Sequence, residues 1–355
     1  MNARDFAGST ILIVGGAGFV GGALVRRLLK LGPRRLVIVD NLLSADISNV
    51  PEHRTVEPIF ASITDDAVLA ALPRDLDFVF HLACYHGNQS SIQDPLADHQ
   101  NNTLTTLKLF ERLKDFTEIK KVVYSAAGCA VAAKTFDCPT AIDEDAPASL
   151  FQDSPYSISK LIGEMYGNYY FMHHGLPFVK ARFQNVYGPG EILGAGRWRG
   201  TPHTVWRNVT PTFVWKALRH EALPVDNGGI ATRDFIFVGD IVDGLIACAR
   251  RGRPGDVYNL ASGIETSILD LARLVNELTN NPTPITLSPA REWDHSGRRF
   301  GAPYKAREEL GFVAATSLHD GLQNTIAWTR GNRDRIQRCM LQHADFLPEV
   351  REATG

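Results

Sequence analysis

Residues 10–33 read TILIVGGAGFVGGALVRRLLKLGP, and the fold follows from how this stretch divides. Thr10 to Val14 form a short apolar run rich in β-branched residues, the pattern of a buried strand. Val20, Leu24, Val25, Leu28 and Leu29 then fall on one helical face. Gly32 supplies a C-terminal stop, and Pro33 cannot continue the turn. Gly15, Gly18 and Gly21 therefore lie between a strand and a helix. Glycines at this spacing let the backbone turn tightly and approach a pyrophosphate, whose charge meets the helix N-terminus. The next strand, RRLVIVD, ends in Asp40, at the distance where a carboxylate accepts the hydroxyls of an adenosine ribose. Asn41 follows, with no basic residue to receive a 2′-phosphate, so the expected cofactor is NAD rather than NADP.

Outward from this segment, DFVFHLA (77–83), KKVVYSA (120–126) and PFVKARF (177–183) read as further strands separated by helical stretches. That alternation predicts a parallel sheet covered on both faces. Beyond residue 190 longer loops appear, followed by a sheet-like pair, DFIFV (234–238) and VYNLA (257–261). The expected division is a dinucleotide domain over 1–190, completed by 230–262. A smaller α+β substrate domain takes 191–229 and 263–330, and 331–355 is a docked helix or a loose tail.

The whole chain has 355 residues, with 37 basic and 39 acidic side chains and a formal net charge of −2. That balance gives no basic surface for nucleic acid or for an anionic membrane. No apolar run is long enough to span a bilayer, and the first residues lack a signal-peptide pattern. The five cysteines (84, 129, 138, 248, 339) have no CxxC spacing, so neither a disulfide framework nor a metal site is expected. A reducing cytoplasm is the expected location.

SPYSISK places Tyr156 and Lys160 four residues apart at the start of a helix, one above the other on one face. A lysine ammonium beside a phenol stabilises phenolate, and such a tyrosine takes a proton from a sugar hydroxyl whose carbon gives up hydride.

Several motifs in order, GGAGFVG, VIVDN, FHLA, SIQDP followed by NN, YSISK, RFQNVYGPG, TRDFIFVGD and VYNLASG, resemble the extended short-chain dehydrogenase/reductase superfamily over about residues 8–330. The resemblance is to its nucleotide-sugar epimerases and dehydratases, of UDP-glucose 4-epimerase type. It implies a Rossmann-type doubly wound α/β sheet, tightly held NAD, a nucleoside-diphosphate sugar as substrate (a UDP-sugar first), a homodimer and a place in polysaccharide or glycoconjugate biosynthesis.

Residue by residue, the resemblance implies that Gly15, Gly18, Phe19 and Val20 cradle the pyrophosphate and that Asp40 and Asn41 hold the ribose. Ser62 and Ile63 stand where the family has an Asp-Ile pair beside adenine. Leu82, Ala83 and Cys84 line the cofactor wall, and Asn102 matches the asparagine of the following helix. Tyr156 and Lys160 serve both cofactor and catalysis. His86 falls where UDP-galactose epimerases carry a lysine near the cofactor phosphates; a histidine in a surface loop is the plainer alternative. Asn185 and Asn208 match positions that bind diphosphate or sugar. Arg233, and Arg291 with Asp294, match a nucleotide clamp, suited by the planar guanidinium fork. REWD departs from the family's Arg-Pro-Gly-Asp, and Arg298 or Arg299 could share or replace Arg291.

One position is anomalous. The family places Ser or Thr two residues after Ser125, and Ala127 stands there. Ser125 faces the same way in a strand but lies about 7 Å too early. A bulge at Ala-Ala-Gly could bring it forward, or a water or sugar hydroxyl could complete the relay. Cys129 aligns where 4,6-dehydratases carry glutamate and a 3,5-epimerase carries cysteine, so it is a candidate for moving a carbon-bound proton; as a buried space-filler it needs no such role. Epimerisation at C4 is the leading expectation. Chemistry at C3 or C5, dehydration through Cys129, and a non-catalytic nucleotide-binding protein are the alternatives.

Overall fold

A computed structural model of the chain describes residues 6–131, 136–291 and 297–354. Six strands come first: β1 (Thr10–Val14), β2 (Arg35–Val39), β3 (Val56–Ile59), β4 (Phe78–His81), β5 (Lys121–Ala127) and β6 (Phe178–Phe183). With the later strand Val257–Leu260 they form one parallel sheet, in the order β3, β2, β1, β4, β5, β6, Val257–Leu260. Strand order reverses at β1 and β4. In open α/β sheets that reversal opens a crevice at the carboxyl ends of the strands, where ligands bind.

The two-residue period of the strands sorts their side chains into two cores. Ile11, Ile13, Ile38, Phe80 and Val123 face one way, onto helix α1 (Phe19–Leu29) and the helix Val238–Arg251. Leu12, Val14, Val37, Val79, Val122 and Tyr124 face the other way, onto Thr105–Leu113 and the long helix Pro155–His174. Burial on both faces explains why these strands read as continuous apolar runs.

Two sequence expectations are corrected here. Phe235–Phe237 and Val257–Leu260 are not neighbours: the former pairs with Asn185–Tyr187 outside the main sheet, and only the latter joins β6. The cause lies at Asp234. Its buried carboxylate accepts from the backbone N–H groups of Ser262, Gly263 and Gly301, which anchors this turn to the loop beyond Leu260. Nor does β5 bulge, since it pairs with β6 in unbroken register from Val122↔Phe178 to Ala127↔Phe183.

A further core gathers Phe213, Val225, Phe235, Leu271, Val275 and Leu322 between the helices Val209–Ala217, Ile268–Thr279 and Leu318–Gly331. The terminal segment is docked: Ile336, Met340, Leu347 and Val350 pack on Ile192, Leu193 and Trp215. Among the described residues no helix is long and apolar enough to cross a membrane.

Candidate active site

A cavity of about 700 Å³ opens at the strand-order reversal and continues towards the second core. Gly15, Gly18, Phe19 and Val20 line its cofactor-side end. Gly15 has φ +88°, and a Cβ there would stand 2.5 Å from the Ala83 nitrogen. A Cβ on Gly21 would stand 2.1 Å from the Gly15 oxygen, so α1 can approach the turn only with glycine at both places. Gly18 caps α1 without a side-chain bond, and no acidic residue occupies the first turn. The first N–H groups of the helix therefore suit an anion.

Asp40 has a double task. Its carboxylate accepts from the Ala17 N–H at 3.0 Å and the Leu42 N–H at 2.9 Å, which props the glycine turn, while the side chain lines the cavity. Burial raises its pKa, and the backbone donors oppose the rise. Asn41, Ser62, Ile63, Leu82, Ala83 and Cys84 also line the cavity. Asn102 does not. It stands one layer back, accepting from the Tyr85 N–H at 2.7 Å and donating to Asp98 at 2.7 Å, so it fixes the loop after β4. A cradle admitting only backbone, an uncapped helix N-terminus and a carboxylate at the next strand end together fit a dinucleotide.

The chemistry-bearing pair comes from the long helix. Ser154 caps it by accepting from the Ser157 N–H, and Pro155 occupies the first turn. That start places Tyr156 at the cavity wall, with Lys160 one turn on. Lys160 is buried and donates to the Ser125 carbonyl at 2.8 Å; its Nζ lies 5.9 Å from the Tyr156 ring centre. The Ser125 hydroxyl donates to the His81 carbonyl at 3.1 Å. Ser125 thus holds Lys160 and ties β5 to β4. Ser125 lines the cavity, but its hydroxyl is engaged with the His81 carbonyl and no bulge in β5 moves it forward to the position of Ala127. Ala127 lines the cavity and packs with Tyr156. The Cys129 side chain and Asp294 lie outside the described residues.

On the substrate side, Asn185, Asn208, Arg233 and Arg291 line the cavity. Arg233 is buried and donates to the Thr232 and Gly297 carbonyls, at 2.7 and 2.8 Å. Arg291 pairs with Asp226 at 2.5 Å. Of the two arginines that follow, Arg298 forks onto Glu265 at 2.9 and 3.1 Å, whereas Arg299 lines the cavity.

Sequence reasoning missed Glu191, His203 and Arg207, all on the cavity wall. Arg207 donates to the carbonyls of Ser44 (2.7 Å) and Ala195, and burial holds its pKa down to about 9. Burial pushes the Glu191 carboxyl up to about 7. The Glu after YGPG and the His and Arg of the 197–208 segment were visible as residue types, but nothing local aims them inward. His86 is no loose surface histidine: its ring lies edge-on to Tyr156, with centres 5.9 Å apart.

A cavity at the switch point of a doubly wound sheet, walled by a Tyr–Lys pair, defines a dinucleotide-dependent enzyme of the extended short-chain dehydrogenase/reductase type. Residues 11–261 match the NAD dependent epimerase/dehydratase family, and the chain belongs to that family. Its cofactor is NAD. The Bordetella bronchiseptica enzyme WbmF, solved in complex with NAD+, is 58% identical, covers 97% of this chain and 99% of its own, and superposes with TM-score 0.87. WbmF has also been solved with NAD+ and UDP together, at TM-score 0.88. The epimerase Mth375 of Methanothermobacter thermautotrophicus is 36% identical over 95% of this chain and 96% of its own, with TM-score 0.86. UDP-glucose 4-epimerase of Mycolicibacterium smegmatis is 30% identical over 90% of this chain and 98% of its own.

Proposed function

We propose that this protein epimerises the sugar of a UDP-linked nucleotide sugar at C4, through a transient 4-keto sugar. The observation that carries the reading is the Tyr156–Lys160 pair at the wall of one cavity that reaches from the glycine turn to Asn208 and Arg233. WbmF, whose complex holds NAD+ and UDP together, supports a uridine nucleotide on the substrate side.

Tyr156 takes the proton of the C4 hydroxyl. The Lys160 ammonium, buried between the Tyr124 and Tyr156 rings, favours the phenolate form that accepts it. Ser125 keeps Lys160 in place through its carbonyl. Asn185, Asn208, Arg233 and Arg291 hold the diphosphate and nucleoside end while the sugar turns. Gly15, Gly18 and Asp40 would hold NAD, whose nicotinamide would supply the acceptor and donor of hydride. As hydride returns to the other face of C4, Tyr156 gives its proton back to the C4 oxygen and the inverted hydroxyl forms, so no net oxidation remains.

We further propose a cytoplasmic homodimer that serves glycoconjugate assembly. Cys84, Cys138, Cys248 and Cys339 are free thiols, in keeping with a reducing compartment. Ile158, Met165, Tyr169 and Met172 form an exposed stripe along the long helix, on the side away from the sheet.

An NMR-monitored panel of UDP-sugars in deuterated water tests the reaction. Inversion at C4 without solvent deuterium on carbon is expected, with Tyr156→Phe losing about 10²- to 10⁴-fold in kcat. Deuterium at C3 or C5 would move the assignment to the 3,5-chemistry that Cys129 suggests. No turnover of any UDP-sugar by NAD-loaded protein would end the enzymatic reading.

A further inference from the structure

If Tyr156 is the base, as read above, the hydroxyl it deprotonates still needs a partner that holds its oxygen in line. Ala127 offers only a methyl there, and the Ser125 hydroxyl donates to the His81 carbonyl. The side chain that meets Tyr156 from across the cavity is His86, with ring centres 5.9 Å apart and an interplanar angle of 73°. Among the described residues its ring makes no hydrogen bond, and it lines the cavity.

The chain fixes the backbone that carries this imidazole. Asn102 grips the preceding residue at both backbone groups, accepting from the Tyr85 N–H and donating to the Tyr85 carbonyl. Arg199, itself only 5% exposed, donates from Nη1 to the His86 carbonyl at 2.7 Å. Gly87 follows at φ +107°, a conformation that side-chain-bearing residues rarely adopt. A Cβ on it would stand 3.1 Å from the His203 ring. A backbone held this firmly, with the Tyr156 ring against the imidazole, places the ring at the cavity wall.

Its charge state is fixed as well. Burial, with the cations Arg199, Arg207 and Lys160 and the neighbouring His203, holds the His86 pKa down to about 3. A ring held so far below the usual histidine range is neutral near pH 7, with one nitrogen donating and the other accepting.

We propose that His86 takes the place of the absent serine or threonine, hydrogen-bonding the sugar hydroxyl and orienting it for transfer of its proton to Tyr156. The sugar O–H bond breaks and the Tyr156 O–H bond forms, while the imidazole ends with the protons it began with. Arg199 and Asn102 are positioning residues for this ring.

The test uses NAD-loaded protein and whichever UDP-sugar the wild type turns over. His86→Ala lowers kcat by about 100-fold while KM moves by less than about threefold. Adding Ala127→Ser to His86→Ala restores kcat by at least about tenfold, because a hydroxyl then faces the cavity beside Tyr156. A merely structural histidine would not be repaired by a hydroxyl at 127. Bound NAD and melting temperature are measured for each variant. If His86→Ala does not fold, His86→Asn, which keeps a donor and an acceptor, retains more activity than His86→Phe. A kcat within about threefold of wild type in His86→Ala, no gain from Ala127→Ser, or equal loss in Asn and Phe overturns the role of His86 and leaves the epimerase reading standing. Absence of wild-type turnover on every UDP-sugar overturns both.

Discussion

Glu191 sits in the wall of the cavity with one carboxylate oxygen accepting from the Asn208 amide and the other, Oε2, buried without a partner among the described residues. Burial raises its pKa from an ordinary 4.5 to about 7, opposed by Asn208 and Arg207. Between those values the folded protein keeps a proton that the unfolded chain releases. This contribution to stability is therefore complete below about pH 4.5 and is lost as pH rises through about 7. Glu191→Gln retains the acceptor for Asn208 and removes the ionisation. Its melting temperature should gain on wild type from pH 5 to pH 8, with a free-energy difference on the order of 3 kcal/mol. Parallel curves for the two proteins would refute the raised pKa. Glu191 is not legible in the sequence, which places His86 either near the cofactor phosphates or in a surface loop. Gly15, Asp40, Tyr156 and Lys160 are readable because each sits at a fixed offset within one strand–turn–helix unit. Glu191 and His86 take their meaning from contacts with Asn208, Arg199 and Tyr156, which no local period encodes.

The long helix shows how an element carries a site. Gly163 and Gly167 let it lie directly on the sheet: a Cβ on Gly163 would stand 2.1 Å from the Tyr124 hydroxyl, and one on Gly167 would stand 1.9 Å from the Phe178 ring. Both rings are buried, so neither can yield cheaply. Gly167→Ala should push the helix outward and cost about 1–3 kcal/mol. Because Tyr156 and Lys160 ride on the same helix, kcat should fall together with the melting temperature. A lowered melting temperature with unchanged kcat would mean that the catalytic pair does not depend on this contact. The strand–helix alternation of this half was readable because each strand is buried on both faces and each helix on one. The pairing of Phe235–Phe237 was not, because Asp234, which sets its path, finds its donors at Ser262, Gly263 and Gly301.

At the scale of the molecule, docking of the last segment depends on few residues. Ile336, Met340, Leu347 and Val350 are scattered among polar neighbours, too sparsely for the sequence to choose between a docked helix and a loose tail. Their partners Ile192, Leu193 and Trp215 supply the missing apolar surface, and Trp215 donates to the Ala353 carbonyl at 3.0 Å. Among the described residues no such covering meets the stripe on the long helix. Ile158, Met165, Tyr169 and Met172 recur at spacings of seven, four and three, so they share one face, and Met172 is 68% exposed. The opposite face buries Lys160, Leu161, Gly163 and Glu164, so the helix cannot rotate to hide the stripe without removing Lys160 from the site. A second copy of the same helix offers the same apolar stripe, which makes a two-fold pairing self-complementary. Size-exclusion chromatography with light scattering should give twice the chain mass for wild type and a single chain for Met165→Glu combined with Met172→Glu. The variant should still bind NAD, since both substitutions lie on the face away from the cavity. A monomeric wild type, or a variant that stays dimeric, would remove this helix from the interface.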